Sequence, residues 1–204
     1  MSLSRLKRSF YLQDAVSLAQ ALLGKMLVHV IDGVETGGLI IETEAYAGRE
    51  DAACHSYKRQ SPSGEHRTDV MFGPGGYAYV YLIYGMYNCF NVVANVENEP
   101  EAVLIRAVEP RQGISAMRER RKTRDVKKLC NGPGKLSIAL GITREHYGAD
   151  LCGGGLFITE AESIHASRIL ATPRINVDYA KEAARLPYRF IIRDNEFLSK
   201  RPTT

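Results

Sequence analysis

The sequence contains 204 residues, of which 45% are hydrophobic, and this predicts one domain over residues 1–204 with a single core. The formal net charge is only +4 and is unevenly distributed along the chain. The four cysteines form no CxxC pair and no zinc spacing, and no long apolar run follows the basic N-terminus, so a disulfide framework, a structural metal, a signal peptide and a membrane span are not indicated.

Apolar spacing predicts a helix and then a β-hairpin in the first part of the chain. The helix follows Asp14 and ends at Gly24, a residue type that is common at helix C-termini. Asp32-Gly33 is a strong two-residue turn signal between two strands, the second of which ends at Tyr46. We expect this hairpin to carry the chemistry.

Two glutamates lie near the end of the second strand. Alternation places Glu42, Glu44 and Tyr46 on one side of it, although strands disfavour glutamate. The pair indicates either a solvated strand edge or a site that needs a base, and the spacing does not distinguish Glu42 from Glu44.

A long irregular segment, residues 47–75, follows this strand, and connections of this length in compact domains are often functional. It contains His55 and His66. An isolated histidine is more often a structural hydrogen-bonding group than a catalyst, so neither residue carries an argument by itself.

The stretch 76–91 holds five of the eleven tyrosines and predicts an aromatic strand that reverses at Gly85. Alternation places the tyrosines at 77, 79 and 81 on one face and the apolar residues at 78, 80 and 82 on the other. The resulting hairpin carries Tyr84 and Met86 at its tip, where burial is least expected. An exposed apolar tip suggests a wedge between base pairs. The alternative is that the tyrosines only pack against a sheet.

Basic residues are concentrated between residues 111 and 135, where nine lysines and arginines accompany two acidic residues and give a local charge of +7. This block indicates either a solvated face or a phosphate footprint. Just before it, Arg106 lies in an apolar strand and requires a buried ion pair or a phosphate contact. The glycine-rich residues 131–135 predict a helix entry whose amides either hold a phosphate or simply start a helix.

The remaining predictions complete the outline of the fold. The predicted strands are residues 26–31, 39–46, 77–82, 88–94, 102–108, 156–160, 167–171 and 188–192. Short helices are expected around residues 114–121 and 136–140 and before Arg185. Residues 1–8 and 199–204 are expected to be flexible tails.

Six motifs follow one another along the chain. They are Glu42-Thr43-Glu44-Ala45-Tyr46, His55, residues 79–87, Asn91, residues 104–110 and residues 132–136. Together they closely resemble the alkyladenine (3-methyladenine) DNA glycosylase family in its short bacterial form. The resemblance implies a single-domain α+β fold with a curved, mostly antiparallel β-sheet, surrounding helices and a protruding β-hairpin.

The resemblance also implies a function. It indicates a monofunctional enzyme of base excision repair that flips alkylated or deaminated purines out of duplex DNA and hydrolyses the N-glycosidic bond, leaving an abasic site. Substrates in the family include 3-methyladenine, 7-methylguanine, hypoxanthine and ethenoadenine. The implied partner is double-stranded DNA with damaged purines. No cofactor, metal or lyase activity is expected, and a cytoplasmic, nucleoid-associated monomer is expected.

By the same resemblance, Glu44 matches the general base that activates water and Arg106 a residue that helps to position the site. The implied base pocket consists of Tyr46, His55, Tyr81, Asn91 and Val177. Tyr84 matches the residue that replaces the extruded nucleotide in the stack, with Met86 beside it. From the basic block and the glycine-rich helix entry, the expected phosphate contacts are Arg120, Arg121, Lys122, Gly134 and Lys135.

Two other functions are compatible with parts of the sequence. A basic, tyrosine-rich module could stack single-stranded nucleic acid without chemistry, in which case Glu44→Gln would change nothing measurable. An O-glycosidase would use Glu42 and Glu44 as acid and base, but residues two apart on one strand hardly fit opposite sides of a sugar.

Overall fold

The computed structural model describes residues 4–202 and contains the elements of an α+β fold. The helices are α1 (Arg8–Tyr11), α2 (Ala15–Ala21), α3 (Ile114–Arg121) and α4 (Pro133–Leu140). The strands are β1 (Met26–Ile31), β2 (Val34–Tyr46), β3 (Ala78–Ile83), β4 (Tyr87–Ala94), β5 (Glu101–Gln112), β6 (Leu156–Thr159), β7 (Ile169–Thr172) and β8 (Arg189–Ile192). Short 3-10 helices connect them, and Asp178–Arg185 consists of two such turns separated by a kink at Lys181. None of the helices between residues 4 and 202 is long and apolar enough to cross a lipid bilayer.

The eight strands form one open antiparallel sheet. Six of them lie in the order β3-β4-β5-β2-β1-β6, while β8 pairs with β2 and β7 pairs with β8. Helices α2 and α4 pack on this sheet, α2 against β2 and β5, and α4 against β4 and β5. The α+β class predicted from the sequence is therefore confirmed.

Strand β2 lies at the centre of the sheet and pairs with three other strands. Its first part pairs with β1 and its residues Glu42 to Glu44 pair with β8, while β5 runs along the other edge. The β2–β5 register shifts on both sides of Glu42, as at a β-bulge. Residues 36–45 are all buried, so the interpretation of the two glutamates as a solvated edge is wrong.

Helix α2 forms where the sequence predicts it. The Asp14 side chain accepts hydrogen bonds from the N–H groups of Val16 and Ser17, an N-cap that satisfies free amides at the helix start. The apolar residues Leu18 and Leu22 are fully buried in the main core. This helix therefore covers the sheet and has no contact with the cavity described below.

Strands β3 and β4 form the predicted aromatic hairpin. Ala78 and Val80 join the main core, whereas Tyr79 joins a second apolar cluster against which Tyr81 packs. The predicted alternation is therefore confirmed. At the tip, Tyr84 and Gly85 have φ values of 52° and 70°, and the N–H of Met86 donates to the carbonyl of Ile83 at 3.2 Å, as in a tight primed turn.

The start of α4 lies directly against this hairpin. A Cβ added to Gly134 would lie 3.0 Å from the Tyr87 side chain. The missing side chain of Gly134 thus allows a close approach, which brings the N-terminus of α4 beside β4. The helix itself begins at Pro133, three residues earlier than predicted.

The ends of the described chain are attached to the body of the domain. Arg8, expected in a flexible tail, lies in α1 and forms a 2.6 Å ion pair with Asp150. Ser199, expected in the other tail, makes two 2.7 Å hydrogen bonds to Glu42. The tails were predicted from their position at the chain termini, and the buried partner that holds Ser199 lies 157 residues away in sequence. The prediction for residues 1–3 and 203–204 lies outside the described residues.

Candidate active site

A cavity of about 750 Å³ opens beside the β3–β4 hairpin. Its volume and its apolar and aromatic lining are typical of small-molecule sites. All five predicted base-pocket residues line it: Tyr46, His55, Tyr81, Asn91 and Val177. Arg106, Tyr84, Arg121, Gly134 and Lys135 also line it, so ten of the predicted site residues are brought together here.

Glu44 lies immediately behind the cavity and is fully buried. Its Oε2 accepts hydrogen bonds from the Tyr46 hydroxyl at 2.9 Å and from Arg106 Nη1 at 3.2 Å. Its Oε1 accepts one from the N–H of Ile175 at 2.7 Å. All three donors belong to residues that line the cavity. A carboxylate can accept about four hydrogen bonds, so one position remains for a further donor.

Glu42 is held mainly by residues outside the cavity lining. Its Oε1 accepts from Arg106 Nε at 3.1 Å and from Arg189 Nε at 2.8 Å. Neither glutamate is itself a lining residue, but all three donors to Glu44 line the cavity, whereas Arg106 is, among residues 4–202, the one lining residue that donates to Glu42. The hydrogen-bond partners therefore distinguish the two glutamates, which sequence spacing did not, and link Glu44 more closely to the cavity.

Arg106 links the two carboxylates. It is 8% exposed and donates to both, which is the buried ion pair that its apolar strand required. Burial lowers the pKa of the guanidinium, but the neighbouring Glu44 and Glu42 carboxylates more than offset this and raise the pKa above its ordinary value. Arg106 is therefore a fixed positive charge at the wall of the cavity.

The aromatic walls of the cavity are uncharged at neutral pH. Burial, with smaller contributions from the charges of Arg67 and His66, lowers the pKa of His55 to about 4. The His55 Nδ1 lies 2.9 Å from the Tyr79 hydroxyl, and its ring centroid lies 4.7 Å from that of Tyr81. A planar guest between these walls would meet neutral rings.

Tyr46 is held as a hydrogen-bond donor. Burial, and then the Glu44 carboxylate, raise the pKa of the Tyr46 hydroxyl well above its ordinary value, so the proton stays on the phenol. The Asn91 side chain is fixed in a similar way, because its amide donates to the carbonyls of Tyr79 at 2.9 Å and Cys89 at 3.4 Å. Both side chains are therefore oriented before any ligand arrives.

A buried ion pair that the sequence did not reveal supports the far wall. Both Nη atoms of Arg174 donate to Asp51, at 2.5 and 2.9 Å, and its guanidinium carbon lies 5.0 Å from the Tyr46 ring centroid. The next residue is Ile175, which donates to Glu44. The polar neighbours Thr172 and Asn176 gave no sign that Arg174 is buried, and its partner lies 123 residues earlier.

The predicted phosphate contacts fall into three groups. Arg121, Gly134 and Lys135 line the cavity, as described above. Arg120 points elsewhere, since its Nη1 donates to the Ala139 carbonyl at 3.0 Å. Lys122 lies in a separate shallow groove that Arg118 and Arg124 also line. The structure thus does not bring Arg120 to the site.

The hairpin tip is the most exposed apolar feature near the cavity. Tyr84 is 74% exposed and lines the cavity, while Met86 is 66% exposed and does not line it. Both side chains therefore project as the sequence predicted. Large apolar side chains that are this exposed can contact the surface of a binding partner.

Residues 9–196 match the sequence profile of a family described as methylpurine-DNA glycosylase. A protein of Alkaliphilus oremlandii is 45% identical over 205 residues, which cover 97% of this chain and 100% of that protein. Proteins of Bacillus cytotoxicus and Desulfitobacterium hafniense are 48% and 44% identical over 202 and 206 residues, which cover 94% and 97% of this chain and 97% and 99% of theirs. All three carry the provisional name 3-methyladenine DNA glycosylase.

Proposed function

The chain belongs to the methylpurine-DNA glycosylase family and is a DNA glycosylase, and from this premise we propose that it hydrolyses the N-glycosidic bond of alkylated or deaminated purines in duplex DNA. The observation that supports the proposal is the environment of Glu44. This fully buried carboxylate is held by three donors that line the cavity, and an exposed tyrosine lies at the nearby hairpin tip. The site therefore combines a pocket for a base with a carboxylate that can assist cleavage of the base from its sugar.

The first step is extrusion of the damaged nucleotide. Flipping a base costs a few kcal/mol of stacking and pairing, and less at damaged or mismatched pairs. Tyr84 enters the space that the nucleotide leaves and prevents its return, with Met86 beside it on the hairpin tip. Because both side chains are already exposed, insertion does not require the fold to change.

The second step is capture of the base between rings. Tyr46 and His55 take up the faces of the purine together with Tyr81, and stacking contributes roughly 1 to 3 kcal/mol per base. A cationic alkylated purine gains further from the electron-rich faces of tyrosine. Since His55 is neutral, it adds no repulsion to a cationic base. Asn91 and Val177 limit the space around the purine edge.

The third step is hydrolysis. A water molecule donates one hydrogen bond to the remaining acceptor position of Glu44, transfers that proton to the carboxylate and forms a bond to C1′ of the sugar. The bond from C1′ to the purine nitrogen breaks, and its electron pair leaves with the base. Arg106 holds the carboxylate in place during this transfer. General-base assistance of this kind is worth about 10² to 10⁴ in rate.

The nucleophile in this scheme is water, so we expect no strand cleavage. Lyase chemistry requires an amine that forms a Schiff base with the sugar. Sequence reasoning placed no lysine at the base pocket, whereas Lys135 does line the cavity. Its Nζ donates to the Asn131 side chain at 2.9 Å, beside the helix entry, and this location fits a phosphate contact.

The test is release of free base from duplex DNA that carries one 7-methylguanine or one hypoxanthine, with a chelator present. We expect wild-type protein to release the base and to leave an abasic strand that breaks only after alkali. A binding module would retain the DNA and release nothing. Strand breaks without alkali would contradict the monofunctional assignment.

The basic groove beside α3 yields a second prediction. Among residues 4–202, Arg118, Lys122 and Arg124 have no carboxylate within 4 Å, whereas Lys127 and Lys128 pair with Glu196 and Asp125. We expect Arg118→Gln with Lys122→Gln to weaken binding to damaged and undamaged duplex alike. The slope of log affinity against log salt should fall by about 0.9 for each phosphate that is no longer neutralised.

The matched control is Lys127→Gln with Lys128→Gln, which removes the same number of charges from paired positions. Affinity measured by fluorescence anisotropy at several salt concentrations separates the two pairs. An equal loss in both double variants would mean that only total charge matters. The groove would then have no particular role.

A further inference from the structure

We propose that Ser199 is a positioning residue for base excision: it holds Glu42 in place, and Glu42 in turn holds Arg106 in line with Glu44. The inference rests on the proposed function, in which Glu44 activates water. Ser199 itself does not line the cavity and touches no substrate in this scheme. Its effect on the reaction is transmitted through two side chains.

Ser199 contacts both oxygens of Glu42. Its hydroxyl donates to Oε1 at 2.7 Å, and its backbone N–H donates to Oε2 at 2.7 Å. The same hydroxyl lies 3.4 Å from both Nε and Nη2 of Arg106, which donate to it. Ser199 is therefore hydrogen-bonded both to the Glu42 carboxylate and to the Arg106 guanidinium.

Glu42 depends on these contacts because it is fully buried. Its carboxylate accepts four hydrogen bonds, one each from Arg106 and Arg189 and two from Ser199. Three of them reach Oε1 and one, from the Ser199 N–H, reaches Oε2, so the Ser199 hydroxyl shares Oε1 with the two arginines. Loss of a donor to a buried ion is costly, and the donors that remain would shift toward it.

The donor that would move is Arg106. It divides its guanidinium between two carboxylates, with Nε on Glu42 at 3.1 Å and Nη1 on Glu44 at 3.2 Å. Without the Ser199 hydroxyl, Glu42 loses one donor and Arg106 Nη2 loses the acceptor that lies 3.4 Å away, so the guanidinium shifts toward Glu42 and away from Glu44. Glu44 then loses one of its three orienting bonds.

The neighbours of Ser199 fix its backbone independently of its side chain. Leu198 is buried in the main core, and the carbonyl of Lys200 accepts a hydrogen bond from Arg189. Replacing the hydroxyl alone therefore leaves the segment in place. This makes Ser199→Ala a local change, in contrast to substitution of Glu42 or Arg189, which would leave a buried charge without its partner.

The experiment compares Ser199→Ala and Ser199→Thr with wild type in single-turnover excision at saturating enzyme, together with affinity for the same duplex carrying a non-cleavable abasic analogue. We expect Ser199→Ala to excise roughly tenfold more slowly, as for a small misplacement of a catalytic group, with affinity changed less than about twofold. Ser199→Thr keeps the hydroxyl and should restore the rate to within about twofold of wild type.

Two controls separate positioning from general destabilisation. Ser163→Ala removes a hydroxyl from an exposed serine outside the network and should excise at the wild-type rate. Thermal melting of every variant identifies a change that only weakens the fold, because such a change lowers affinity and rate together.

The outcomes are distinct. Excision by Ser199→Ala at the wild-type rate would overturn the positioning role, as would failure of Ser199→Thr to restore a slowed rate. If wild-type protein released no base from any lesion, the proposed function itself would fail. Base release by wild-type protein is measured first, so a failure of the proposed function is distinguished from a failure of the Ser199 role.

Discussion

Glu44→Gln is expected to lower single-turnover excision by about 10² to 10⁴ while leaving affinity for lesion-containing duplex near that of wild type. The amide has nearly the same shape but cannot take a proton from water at neutral pH. Affinity should persist because the rings that hold the base and the hairpin tip are unchanged. Base release and anisotropy on the same duplex measure the two quantities separately.

The control for this variant is Glu44→Asp, which keeps the charge but withdraws the carboxylate by one methylene. We expect Glu44→Asp to excise faster than Glu44→Gln, because a more distant carboxylate can still accept a proton from water. Full excision by Glu44→Gln would refute the assignment of Glu44. Loss of DNA binding and activity together would point instead to a damaged cavity.

Tyr84→Ser is expected to reduce excision by roughly 10- to 100-fold, because the cost of flipping is a few kcal/mol and the wedge offsets part of it. Because Tyr84 is 74% exposed, the substitution removes little buried surface, and the melting temperature should stay within a few degrees of wild type. Ethenoadenine fluorescence in duplex DNA reports the flipped state directly.

Two companion variants sharpen this result. Tyr84→Phe keeps the ring and should retain most of the activity, while Tyr57→Ser removes another exposed tyrosine that does not line the cavity and should change nothing. The wedge role would be wrong if Tyr84→Ser flipped and excised ethenoadenine as fast as wild type. Equal losses in Tyr84→Ser and Tyr57→Ser would indicate a general effect of surface tyrosines.

The local patterns of the sequence predicted most of the sheet and much of the site. Alternation placed Tyr79 and Tyr81 on one face of β3, and the Asp32-Gly33 signal located the first hairpin. The predicted strand began at Leu39, yet β2 begins at Val34 and continues through residues 37–38, because the two glycines fit where a Cβ would lie within 3 Å of neighbouring carbonyls. The start of this strand is therefore decided by tertiary packing.

The partners of the buried charges were beyond the reach of pattern reasoning. Arg106 was expected to need either a buried ion pair or a phosphate contact, and nothing local identified Glu42 and Glu44 as its partners. The separation of the two glutamates depends on Ile175 and Ser199, which come from distant segments. Hydrogen bonds between distant segments form only in the folded chain, and no local periodicity in the sequence predicts them.

The pairing of β8 with β2 has a consequence for biosynthesis. Arg189 and Ser199, which surround Glu42, are translated after every residue that lines the cavity. A nascent chain that stops before β8 carries the hairpin tip and the aromatic walls, but it lacks the strand that braces Glu42 to Glu44. Chains released early by a premature stop codon would therefore lack these two partners of Glu42 as well as the part of the core that Phe190, Ile191 and Ile192 supply.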